Sequence, residues 1–105
     1  MSDIIQVVTT VEKKDDARRI AELLVERRLA ACVQIVGPVT SVYRWQGQVE
    51  LAEEWQCLAK TRQGRFDAVA AAIGSVHPYE VPEIVATEIV AGSGSYLSWL
   101  REQTD

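Results

Sequence analysis

Apolar residues recur along this chain with two different periods, and the switches between them mark out the elements. Ile4 to Val11 is a short run rich in β-branched residues, which predicts a buried strand. From Lys14 to Leu29 the period lengthens. Ala17, Ile20, Ala21, Leu24 and Arg28 fall on one face of a predicted amphipathic helix, with Ile20 and Leu24 supplying its apolar bulk. Asp15 and Asp16 near its start, and Arg27 and Arg28 near its end, match the helix macrodipole. Strand pattern returns at Ala31 and runs across Gly37-Pro38 to Trp45; Gln46-Gly47 marks a turn, and Gln48 to Thr61 runs back as the second arm of a long hairpin. A second helix is expected from Arg65 to Gly74, with Phe66, Val69, Ala70 and Ile73 on one face. His77-Pro78-Tyr79-Glu80-Val81-Pro82-Glu83 is extended, because each proline pushes the residue before it out of helical space. Ile84 to Val90 predicts a last strand, Gly92 to Ser95 a joint, and Tyr96 to Gln103 a short terminal helix.

Strand, helix, strand, strand, helix, strand is the order of an α+β ferredoxin-like split βαβ sandwich, here with a long hairpin and a short C-terminal helix. A length of 105 residues at 48% hydrophobic content suits one domain over residues 1–105.

The hairpin is too long for the layer that covers it. Each arm of about 14 residues reaches roughly 45 Å at 3.3 Å per residue, whereas the first helix spans about 24 Å at 1.5 Å per residue. The overhang carries Val42, Tyr43, Trp45, Val49, Leu51 and Trp55. An apolar overhang of this kind, with unpaired edges, points to self-association. The other reading is that Gly37-Pro38 bends the hairpin back onto its own sheet.

Charge narrows the partners. A net charge of -4 opposes phosphate backbones and anionic lipid, so neither nucleic acid nor membrane is an expected partner. Met1-Ser2-Asp3 begins no basic and apolar leader, and no apolar run approaches a membrane span, so a cytoplasmic location is expected. Cys32 and Cys57, far apart and unpaired in pattern, suit a reducing compartment.

Candidate chemistry is sparse. Alternation places Ser41, Tyr43 and Trp45 on one side of the outgoing arm, either as a ligand wall or as interface packing. Glu54 and Lys60 share a side of the return arm, where an exposed charged face is the simpler account. His77, the single histidine, is either a metal ligand joined by Glu80, Glu83 or a cysteine, or a locally bonded loop residue. Cys32 reads as a small core residue or a site residue. No Ser, His and Asp arrangement, phosphate loop, H-E-x-x-H or cysteine cluster is present, so a binding protein is expected and not an enzyme.

Six stretches in order resemble the CutA divalent-cation-tolerance family over nearly the whole chain. They are the first strand ending Thr9-Thr10; Leu29-Ala30-Ala31-Cys32; Ser41-Val42-Tyr43-Arg44-Trp45-Gln46-Gly47; Glu54 with Lys60-Thr61; His77 to Glu83; and Tyr96-Leu97-Ser98-Trp99-Leu100. The resemblance implies a PII-like homotrimer in the cytoplasm, linked to tolerance of divalent metals and of copper above all. It implies weakly bound Cu²⁺ or another divalent cation, with His77 as its ligand, and no organic cofactor. It also implies that Cys32, Ser41, Tyr43, Trp45, Lys60, His77, Tyr79 and Glu83 occupy family motif positions, several of which would gather around clefts between subunits. Family members with a proposed copper site can carry cysteine and a second histidine where this chain has Thr9 and Val76. Two other roles fit the same resemblance: a signalling trimer holding a small molecule in the intersubunit cleft, and a structural trimer that anchors another protein.

Overall fold

The computed structural model describes residues 3–105 and contains a four-stranded antiparallel sheet in the order β2-β3-β1-β4. Along the chain the elements are β1 (Ile4–Val11), α1 (Lys14–Glu26), β2 (Cys32–Trp45), β3 (Gln48–Arg62), α2 (Phe66–Val76), β4 (Val85–Glu88) and α3 (Gly94–Gln103), with a 3-10 turn at Gln63–Arg65 before α2. This is the ferredoxin-like split βαβ fold that the alternation of periods predicts.

One face of the sheet packs on α1 and α2. Ile5, Val7 and Val11 of β1 meet Ala17, Ile20 and Leu24 of α1 and Val69, Ala72 and Ile73 of α2, with Cys57 and Ala59 of β3 between them. Full burial of side chains such as Ile20 and Leu24 stabilises by about 1.5–3 kcal/mol each. Strand alternation turns Ile4 to the opposite face, where it packs with Ala31 and with Leu100 of α3.

Element ends differ from the sequence expectation where side chains decide the closure. The first helix stops at Glu26, not Leu29, because Arg28 takes a left-handed φ of 58°. The amides of Leu29 and Arg28 then turn back to the carbonyls of Leu24 and Val25, the double closure that satisfies a helix C-terminus. Arg28 therefore lies outside the helix face assigned to it, and its guanidinium donates to the Glu102 carbonyl at 2.6 Å, fastening α3. The second helix runs on to Val76, and β4 is shorter than Ile84 to Val90, pairing with β1 only from Val8↔Val85 to Ile5↔Glu88.

The hairpin stays extended. Trp45 pairs with Gln48 across a two-residue turn in which Gln46 (φ 50°) and Gly47 (φ 80°) are both left-handed, the geometry that matches strand twist. Nearer the sheet, Val36 pairs with Gln56 and Val39 with Glu54, so Gly37 and Pro38 together oppose Trp55 as a bulge. Gly37 is required here: a Cβ would stand 2.7 Å from Trp55 Cε3 and 3.1 Å from the Glu54 carbonyl oxygen. Pairing continues beyond the bulge to the tip, so the hairpin does not fold back, and the molecule measures 45 Å along its long axis.

The bulge also re-aims the outer arm. Before it, Cys32, Gln34 and Val36 share a face with Lys60, Leu58 and Gln56; after it, Val39, Ser41, Tyr43 and Trp45 share that face with Glu54, Ala52, Glu50 and Gln48. Val42 and Leu51 pair on the other side of the arm, beyond the reach of the helices, and are 65% and 70% exposed.

Candidate functional site

Three segments enclose a cleft of about 770 Å³. Thr10 and Glu12 come from the end of β1 and the residue after it. The hairpin supplies Tyr43, Trp45, Leu51, Ala52, Glu53 and Glu54, and the loop after α2 supplies Tyr79, Glu80, Val81 and Glu83. Each segment arrives for a local reason: β1 ends where its apolar run ends, the bulge turns Tyr43 and Trp45 inward, and Pro78 and Pro82 keep the third segment extended.

A chain of hydrogen bonds holds that loop. The backbone N–H of Tyr79 donates to His77 Nδ1 at 3.1 Å, so the ring proton sits on Nε2, which donates to the Thr10 carbonyl at 2.9 Å. The rings of His77 and Tyr79 meet edge to face at 4.8 Å between centroids. Beyond them the Tyr79 hydroxyl donates to Glu54 Oε2 at 2.7 Å. Burial pushes the Tyr79 phenol well above its ordinary value, and the Glu54 carboxylate that accepts its hydrogen bond pushes it the same way.

The electrostatic character of the cleft is one-sided. Glu12, Glu53, Glu54, Glu80 and Glu83 line it, and no lysine, arginine or histidine does. Tyr43, Trp45 and Tyr79 add aromatic walls. A concave surface lined by one sign of charge concentrates counter-ions, and ring faces attract cations further. Such a cleft suits cations and repels anions.

Of the residues singled out in the sequence, Tyr43, Trp45, Tyr79 and Glu83 meet in the cleft. Ser41 stands on the same side of the arm, opposite Ala52, just outside the lining. Cys32 and Lys60 pair with each other on the sheet before the bulge, where Lys60 Nζ donates to Gln34 Oε1 at 3.0 Å. His77 anchors the cleft from behind with both ring nitrogens engaged, so ligation of a metal there requires giving up one of those bonds. Glu54 is corrected: it is buried, 6% exposed, and tied to Tyr79, not part of an exposed charged face. The Cys57 thiol points to the Ala17 carbonyl at 3.4 Å, and burial raises it to about 11. Thr9 is buried with an unpartnered hydroxyl.

Among the described residues no three His, Cys, Asp or Glu side chains converge as a ready-made metal site. Glu12 and Glu53 escaped the sequence reading. No local motif marks them, because they share a cleft only once the hairpin, the end of β1 and the loop after α2 come together.

The family model described as CutA1 divalent ion tolerance protein matches residues 5–103. The chain is 50% identical over 98 residues to the divalent-cation tolerance protein CutA of Thermus thermophilus, covering 93% of this chain and 95% of that one. It is 38% identical over 100 residues to a chloroplastic CutA protein of Arabidopsis thaliana, covering 95% of this chain and 55% of that one. The crystal structure of CutA from Xylella fastidiosa is similar to it at a TM-score of 0.96 and 36% identity, covering 99% of this chain and 100% of that one. The chain thus spans nearly all of the Thermus relative and about half the length of the plant and human relatives. Among the described residues no helix is long and apolar enough to cross a membrane.

Proposed function

This chain belongs to the CutA1 divalent ion tolerance family, and from that premise we propose that it serves divalent-cation tolerance as a homotrimeric binding protein, holding divalent ions, copper among them, loosely at its acidic cleft. The observation that carries the reading is the set of five carboxylates around one cleft without a single basic side chain. Carboxylate oxygens suit hard divalent cations, and copper stands highest in the general affinity order of first-row metals. Binding is loose because the oxygens are spread along the walls and do not converge on one point. The exposed apolar pair Val42 and Leu51 supports trimer assembly, and Leu51 also lines the cleft, so a neighbouring subunit seated on the arm borders the ions. Two free cysteines favour the reducing cytoplasm as its compartment.

Calorimetry with Cu²⁺ and Mg²⁺ tests the reading on wild type, on Glu53→Gln/Glu80→Gln and on His77→Ala. Weaker binding of both ions to the double variant is expected. Equal binding by all three proteins removes the cleft from the account, and a loss confined to His77→Ala with Cu²⁺ transfers the copper to the imidazole.

The volume of the cleft favours a second reading, a small-molecule sensor of the PII type. About 770 Å³ falls within the usual range of ligand pockets. A thermal-shift screen addresses it, since a specific ligand raises the melting temperature by mass action; no hit among metabolites counts against it.

A further inference from the structure

We propose that the cleft binds a small aliphatic polyamine, a flexible chain carrying several separated ammonium groups, in competition with divalent ions. The inference rests on reading the cleft as a cation site and goes beyond it in ligand class.

Size comes first. A divalent ion with six waters, at about 30 Å³ per water, occupies about 180 Å³. The cleft offers about 770 Å³, room for several such ions or for one elongated molecule. The distribution of charge favours the elongated molecule. Glu53 comes from the hairpin, Glu12 from the segment after β1, and Glu80 and Glu83 from the loop, and no three acidic, cysteine or histidine side chains among the described residues close on one point. A point charge can satisfy only part of such a wall. A chain with ammonium groups several bonds apart can place one beside each carboxylate and release the water and counter-ions held there.

The walls supply what a metal cannot use. Tyr43 and Trp45 stand on the same face of the arm, 45% and 40% exposed, and Tyr79 lines the opposing loop. Methylene segments pack against these rings while the neighbouring ammonium groups gain attraction from the ring faces. A hydrated metal ion keeps its water and gains little from either. The absence of lysine and arginine from the lining leaves no partner for a carboxylate or phosphate on the ligand, which argues against zwitterions and nucleotides.

The test titrates the assembled protein with the linear tetraamine spermine and, separately, with Mg²⁺, by calorimetry at fixed salt. Spermine is expected to bind at least tenfold tighter than propylamine. Its affinity should fall at least tenfold in Glu53→Gln/Glu80→Gln and in Tyr43→Ala/Trp45→Ala, while Mg²⁺ binding falls only in the carboxylate variant. Glu22→Gln, on the exposed face of α1 beside Arg18, controls for overall acidity and should change neither. A spermine affinity unmoved by loss of the two rings, or lowered as much by Glu22→Gln as by the cleft variant, overturns the proposal. Because the ring variant can perturb the hairpin, the unmodified protein gives a second readout: spermine should shift the indole N–H resonance of Trp45 and leave that of Trp99 in place. No shift at Trp45 also overturns it. If Mg²⁺ binds through the carboxylates and spermine does not bind, the cation cleft stands and the polyamine falls; if neither binds, both fall.

Discussion

The Tyr79 hydroxyl reaches across the cleft to Glu54, 25 residues away in sequence, and binds its carboxylate at 2.7 Å. This one bond ties the loop after α2 to the hairpin and decides the fate of the buried Glu54. In Tyr79→Phe the carboxylate loses that donor while keeping its burial. A hydrogen bond to a charged group is worth about 1.5–3 kcal/mol, and a loss of that order is expected in urea unfolding. An unchanged midpoint would show that solvent replaces the phenol at no cost.

Alkaline pH probes the same bond from another side. Burial and Glu54 raise the Tyr79 phenol, so the folded chain keeps a proton that the unfolded chain releases near pH 10. The associated stability is complete below that pH and is lost as pH rises toward the folded value. Cys57, raised to about 11 by burial, acts in the same direction from about pH 9 upward. The unfolding midpoint should therefore fall between about pH 9 and 11, and fall less steeply in Tyr79→Phe. Equal slopes would detach the phenol from the effect.

Gly37→Ala places a methyl group against the Trp55 ring and the Glu54 carbonyl. The ring can shift but the backbone oxygen cannot follow easily, so overpacking of about 1–3 kcal/mol is expected. Chemical denaturation measures the loss, and a moved emission maximum in a Trp45→Phe/Trp99→Phe background locates it at Trp55. A stable, spectrally silent variant would mean that the bulge has room to spare.

Arg28 makes two contributions of opposite sign. Its left-handed backbone costs about 1–2 kcal/mol, whereas its guanidinium holds the Glu102 carbonyl. Arg28→Gly should keep global stability near wild type while amide exchange in α3 accelerates. Arg28→Ala keeps the strain and loses the anchor, and should be the less stable of the two. The reverse order would make the side chain irrelevant to α3.

Sedimentation of Val42→Asp/Leu51→Asp tests the assembly. The two residues pair on the exposed side of the arm, and paired carboxylates there should convert the proposed trimer to single subunits at micromolar concentration. Persistence of the wild-type species would place the interface elsewhere.

The architecture was legible because its signals are local. β-Branched runs, the helical spacing of Ile20 and Leu24, and Gln46-Gly47 at the tip each report on a few neighbouring residues. Helix ends were less so: Arg28 takes a conformation usually left to glycine, and its compensating bond is made to a carbonyl 74 positions away. The aromatic half of the cleft was visible through alternation beyond the bulge. The acidic half was not, since Glu12 and Glu53 resemble any exposed glutamate until the hairpin, the end of β1 and the loop after α2 meet at one cleft. The burial of Glu54 is hidden for a related reason, its cover coming from Tyr79, 25 residues away.

The single surplus residue at Gly37-Pro38 constrains how the arm can change length. Were Gly37 and Pro38 paired one for one with β3, the outer segment of β2 would exchange its faces, turning Val42 toward the cleft and Tyr43 and Trp45 away from it. Matched additions of two residues per strand preserve the phase, whereas a lone insertion inverts it. The reach of the arm can therefore drift in even steps, while the identity of its two surfaces stays locked to one kink.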